Sequence, residues 1–217
     1  MYTPPFNVVS DEADVRAMVT AARTAWLVTT GEDGVPMATS VPVMWRGQKV
    51  IAHVAKANSH WKQIIDGTPA LLIVGGAQAY ISPSWYAAKA EHGKVVPTWN
   101  YSAVHLTGTV TVHHDREWLR AAVTELTDTY EGGRDQPWQV TDAPAQYIDG
   151  QLGGIVGIEV TVTRVEGKAK LSQNRSEADR QGVVDGLRAE DLSDADHAQA
   201  LEVAERMADI LRASRVE

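Results

Sequence analysis

Apolar and polar positions change period several times along the chain, and each change marks an element. Val15, Met18, Val19 and Ala22 recur at helical spacing, so residues 10–23 read as an amphipathic helix. Ser10 is its expected N-cap, with Asp11, Glu12 and Asp14 in the acidic first turn. Residues 26–30 then read as a strand, GEDG at 31–34 as a turn, and 37–45 with 49–54 as a strand pair joined at 46–48. Asn58 can cap a short helix holding His60, Trp61, Ile64 and Ile65 and ending near Gly67. Residues 70–74 and 78–82 read as two strands separated by a turn at Gly75 and Gly76. Residues 98–113 alternate as one long strand, with Tyr101, Ala103, His105 and Thr107 on one face and Asn100, Ser102, Val104 and Leu106 on the other.

Asp115 opens a helix to about Tyr130, residues 132–141 form a loop, and a short helix over 143–152 precedes a β-branched strand over 154–166 that belongs inside the sheet. Ser176 caps a helix toward Leu187. Residues 195–213 show helical spacing in Leu201, Ala204, Ala208 and Leu211, which suits either an appended helix at a dimer contact or a solvated amphipathic helix. Runs of strands with helices between and after them predict an α+β fold built on a small antiparallel barrel.

The chain has 217 residues, enough for one globular domain with helical additions. Its formal charge of −8 is spread along the sequence, so the average field opposes a duplex-binding face. There is no cysteine, which excludes disulfides and thiolate chemistry and agrees with a cytoplasmic location. No apolar run approaches the ~20 residues that cross a bilayer, and no membrane association is expected.

The specific chemistry concentrates in residues 80–105. Tyr80, Trp85, Tyr86, Trp99 and Tyr101 fall there, in a chain with seven Trp, six Tyr and one Phe. Pro83 and Pro97 place SPSWY and VPTWNY at strand ends or in extended loops, where rings and hydrogen-bonding groups mix. Such a mixture suits a flat heteroaromatic ligand as well as it suits a buried aromatic cluster. Lys56, Asn58 and Ser59 at a helix start, with Thr39 and Ser40 on a neighbouring strand, offer a cation and short donors for a phosphate ester. The competing reading is a surface lysine and a plain cap. His53 and His60 flank that segment without the spacing of a hydrolytic zinc site, but a single histidine suffices as an axial haem ligand, and His60 is the candidate. KLSQNR at 170–175 follows the last strand with donors for a flavin edge or a carboxylate. Serine-hydrolase, P-loop and dinucleotide fingerprints are absent.

MYTPPF, HVAKANSHW, YISPSWY, VPTWNYSAVHLTG and GKAKLSQNRS followed by GVVDGL together resemble the PaiB family of FMN-binding negative transcriptional regulators, over about residues 1–188. The resemblance implies an FMN-binding split β-barrel, similar to the pyridoxamine 5′-phosphate oxidase-like flavoproteins, working as a homodimer with its cofactor at the subunit interface. On that reading residues 1–188 are the cofactor-binding domain and 189–217 a C-terminal helical extension. The resemblance implies Lys56 and Asn58 near the flavin phosphate. It also implies Ser82, Trp85, Trp99, Asn100, Tyr101, Gln173, Asn174 and Arg175 around the rings. Where the family commonly has Asn-Pro, a variable residue and Trp, this chain has Asn58–Ser59–His60–Trp61. A branch of the family, the piperazate synthases, holds haem b and closes an N–N bond in an N-hydroxylated ornithine; it is similar in carrying a His-Trp pair here. The alternative expectation is therefore haem b with His60 as proximal iron ligand. The two C-terminal helices carry acidic residues throughout, so direct operator binding is not expected.

Overall fold

The structure, a computed structural model, describes residues 1–190 and 193–213. Its strands are β1 (Val8–Val9), β2 (Thr24–Thr30), β3 (Pro36–Pro42), β4 (Met44–Arg46), β5 (Lys49–Ala55), β6 (Thr68–Ile81), β7 (Thr98–His113) and β8 (Ile155–Lys170). The helices are α1 (Glu12–Ala22), α2 (Ala87–His92), α3 (Arg116–Glu131), α4 (Ala145–Leu152), α5 (Glu177–Ala189) and α6 (Asp194–Ala213). The strands form one eight-stranded sheet in the order β3-β2-β6-β7-β8-β5-β4, with β1 added on β8. The pairs β1–β8, β2–β3, β2–β6, β4–β5 and β5–β8 run antiparallel. β3 also lies in contact with β5, which curls the sheet toward closure. This is the α+β split-barrel class.

The chain divides into two compact units. The first comprises Met1–Val15, Gly75–Val104 and Glu166–Glu217, and the second Arg16–Val74 and His105–Val165. In the first unit α5 and α6 share a core: Val183, Val184 and Leu187 meet Ala200, Val203, Ala204, Met207 and Leu211, along with Ala77, Ala79 and Ile81 of β6. α6 thus spends its apolar stripe inside this unit. Gly182 and Gly186, one helical turn apart on α5, let Trp85 lie flat on the helix: a Cβ at Gly186 would sit 2.4 Å from the indole ring, and one at Gly182 would sit 2.1 Å from the Trp85 carbonyl oxygen. In the second unit Leu119, Val140, Ile148 and Leu152 form a smaller cluster beneath α3 and α4.

Several elements differ from the periodicity reading. The cap of α1 is Asp11, whose Oδ1 accepts from the N–H groups of Ala13 (2.7 Å) and Asp14 (3.1 Å); Ser10 is not the cap. The stretch 37–45 breaks at Val43, whose N–H donates to the Arg23 carbonyl, so β3 pairs with β2 and only β4 pairs with β5. Gly75 and Gly76 do not turn; they lie inside the continuous β6. A Cβ at Gly76 would come within 2.3 Å of the Ser102 hydroxyl, so glycine there reflects a close approach between neighbouring strands. The helix after Asn58 is one 3-10 turn, His60–Gln63, and Ile64 is already extended. Ser82 caps another 3-10 turn, Pro83–Trp85, after which α2 follows, so SPSWY is wound and not extended. β8 continues past Glu166 to Lys170, which turns GKAK from loop into strand.

Candidate functional site

The expected binding residues fall into two groups, one in each unit. In the second unit they gather on the segment after β5. The His60 ring is 2% exposed and lies between two hydroxyls, with Nε2 2.9 Å from Thr29 Oγ1 and Nδ1 2.8 Å from Thr39 Oγ1. The His60 N–H donates to Asn58 Oδ1 (2.9 Å), and Asn58 Nδ2 donates to Thr39 Oγ1 (3.4 Å). The Lys56 N–H donates to the Gly154 carbonyl and the Lys56 carbonyl accepts from Trp61 Nε1, so the backbone of Lys56 is held at both ends while its ammonium stays exposed. This chain lacks a proline in the loop, and the imidazole and its two hydroxyls tie it down instead.

Burial pushes the His60 and His53 pKa values below the ordinary histidine range, so both rings are neutral near pH 7. A neutral imidazole has one donor and one acceptor nitrogen, and both are occupied at His60. Neither is left to ligate iron in this arrangement. Ser40 does not join the group: next to Thr39 in β3, it points to the opposite face. His53 sits on β5 opposite Gly157 of β8, and among the described residues no hydrogen bond ties it to the Thr39–His60 pair.

In the first unit, one face of β7 and β8 carries the exposed chemistry. Trp99 (53% exposed) meets Tyr80 (44% exposed) edge to face, with centroids 6.2 Å apart. Tyr101, on the same face of β7, has its hydroxyl 2.7 Å from Lys168 Nζ, and Lys168 also donates to the Tyr2 carbonyl (3.1 Å). Lys170 donates to Thr98 Oγ1 and the Trp99 carbonyl, each at 2.5 Å. Burial lowers the Lys170 pKa; the neighbouring Tyr101 acts to raise it and the like charge of Lys168 to lower it.

The other expected residues of this unit have structural partners. Asn100 is fully buried on the opposite face of β7, where Nδ2 donates to Ser172 Oγ (3.1 Å) and Met207 Sδ (3.3 Å) and Oδ1 accepts from the same hydroxyl (3.2 Å). That network holds Ser172 at φ 61, a left-handed conformation costly for a residue with a side chain. Gln173 folds back on its own turn, bonding the Ala169 carbonyl and the Leu171 N–H. Ser82 is spent on its cap, accepting from the Ser84 N–H, and Trp85 is seated on α5. Arg175 lies over the Tyr86 ring at 4.7 Å, and Asn174 is exposed.

Sequence reading missed Thr29, Lys168 and Lys170. Thr29 is an inward polar residue in an otherwise apolar strand pattern, a signal that was available. The lysines alternate as GKAK, and treating them as loop hid the fact that they share a strand face with period two.

Residues 1–164 match the family described as "Putative FMN-binding domain". The chain belongs to this family. Within it, the chain is 31% identical over 216 residues to the protease synthase and sporulation protein PAI 2 of Bacillus subtilis (strain 168), covering 98% of this chain and 99% of that one. Two solved structures share the fold of this PaiB-like protein. One is the FAD and heme binding protein from Mycobacterium smegmatis, 14% identical, TM-score 0.58, covering 76% of this chain and 73% of that one. The other is the flavocytochrome Anf3 from Azotobacter vinelandii, 17% identical, TM-score 0.55, covering 76% and 69%. Among the described residues no helix is long and apolar enough to cross a membrane, and no group of three or more acidic, histidine or cysteine side chains is placed to hold a metal ion.

Proposed function

We propose that this PaiB-like chain binds FMN and acts as a redox- or ligand-responsive flavoprotein, assembling as a homodimer. The observation that carries the reading is the tied corner at residues 56–61, within a chain whose residues 1–164 match an FMN-binding family. The backbone of Lys56 is fixed at both ends, which anchors the stem of an exposed ammonium able to pair with a phosphate ester, and Asn58 on the same segment is bonded to Thr39. When bound, the flavin supplies one- or two-electron transfer at its ring; the residues named here bind and orient it.

Haem b is the second reading, through the His-Trp pair at positions 60 and 61, and the geometry of His60 weighs against it. Iron ligation requires the ring to give up the hydroxyl of Thr29 or Thr39. Reading of duplex DNA is also disfavoured, because the chain carries a formal charge of −8 and α5 and α6 have acidic residues along their length.

The test is a titration of the full chain with FMN, followed by flavin fluorescence, for the wild type and Lys56→Met. The expected result is saturable uptake that weakens on the order of tenfold to a hundredfold in the variant, the loss of one charge-assisted phosphate contact. No uptake by the wild type would overturn the proposal.

A further inference from the structure

We propose that Tyr101, Lys168 and Lys170 form a receptor for an oxyanion, carboxylate or phosphate, carried on a planar ring that lies against Tyr80 and Trp99. The proposal goes beyond flavin binding and concerns a ligand taken by the first unit.

Charge is the first ground. Lys168 is 7% exposed and Lys170 is half-buried, and the acceptors that hold them are a phenol, a threonine hydroxyl and two backbone carbonyls. Both ammoniums lie within 6.0 Å of the Tyr101 ring centre. Two like charges withdrawn from water around one ring are unfavourable unless an anion completes the group. The burial that lowers the Lys170 pKa points the same way. In a chain of net charge −8 the average field repels anions, so a local pair of cations works against that field.

Donor count is the second ground. Each ammonium has three N–H donors, and two acceptors are named for each, which leaves one N–H apiece. The Tyr101 hydroxyl accepts from Lys168, and its own proton goes to no acceptor among the described residues. Three donors of the kind an oxyanion accepts therefore surround one ring. The third ground is the adjoining aromatic pair. Tyr80 and Trp99 remain 44% and 53% exposed in an edge-to-face contact, and the indole leads through the backbone to Tyr101 two residues on. A ligand with one negative end and a flat apolar body matches both features, whereas a simple inorganic anion uses only the first.

Calorimetric titration of the full chain as purified, with benzoate, cyclohexanecarboxylate and inorganic phosphate as probes, tests the inference. Benzoate is expected to bind saturably, at least tenfold more weakly in Lys170→Met and severalfold more weakly in Tyr101→Phe, which removes only the hydroxyl. Cyclohexanecarboxylate is expected to bind more weakly than benzoate. Displacement of benzoate by inorganic phosphate assigns the site to oxyanions in general, and lack of displacement assigns it to carboxylates; both outcomes support the receptor. Benzoate binding unchanged in both variants, equal binding of the cyclohexane acid, or no saturable binding of benzoate or phosphate would overturn it. Both variants leave Lys168 and its bond to the N-terminal segment in place, so the test does not rest on a substitution in the buried ammonium. FMN uptake measured on the same samples reports the flavin reading separately, so that either idea can fail alone.

Discussion

At the scale of single residues, the decisive group is His60. A buried imidazole held between two threonines is a tie for the Lys56 loop, and its neutral form is the one the fold stabilises. Its folded pKa, like that of His53, lies below the ordinary value of 6.5, so the unfolded chain takes up protons first as pH falls. The stabilisation is complete above that value and drains away below it, until the folded rings protonate. Denaturant unfolding at about pH 7.5 and about pH 5.5 should show a loss of stability on acidification that is smaller in His60→Gln. An equal loss in both proteins would deny His60 its role. Thr29→Val strands one ring nitrogen in the interior, and should cost roughly 1–3 kcal/mol by the same measurement.

At the scale of elements, Trp85 packs closely on α5. Gly186→Ala drives a methyl into the indole ring and should destabilise by about 1–3 kcal/mol. Gly150→Ala on α4, where a Cβ meets nothing within 4 Å, should instead leave stability unchanged or raise it by up to about 1 kcal/mol. Denaturation midpoints of the two variants moving in the same direction and by the same amount would contradict this packing. Gly182 and Gly186 belong to GVVDGL, a motif that carries family resemblance, and here its spacing has a packing reason. The long strand β7 was legible because strict alternation over residues 98–113 leaves no other reading. β6 was not legible as one strand. Consecutive glycines are a strong local turn signal, and it is the crowding by Ser102 across the sheet, invisible in the linear sequence, that calls for glycine at 76. The same limit applies to the site. Lys56, Asn58 and His60 are sequence neighbours and could be grouped by inspection, but Thr29, 31 positions away from His60, enters only through folding. Asn100 and Tyr101 are adjacent in sequence and sit on opposite strand faces, so proximity along the chain overstated their partnership.

At the scale of the whole molecule, α6 is part of the core of the first unit. Ala200, Val203, Ala204, Met207 and Leu211 are each at most 3% exposed, and Arg206 donates to the Ser102 hydroxyl of β7. Truncation after Glu190 should therefore expose a continuous apolar face, broaden the thermal transition and raise binding of a hydrophobic dye. A truncated chain that melts like the full-length protein would show that α6 contributes no core. The functional account rests on the cofactor, and the two candidates separate cleanly by light absorption. The most direct measurement is the absorption spectrum of freshly purified full-length protein, before and after adding FMN and haem b in parallel. Flavin bands present at purification or restored by FMN, with no Soret shift on adding haem, is the predicted result. A Soret band that is lost in His60→Ala, together with no uptake of FMN, would contradict it.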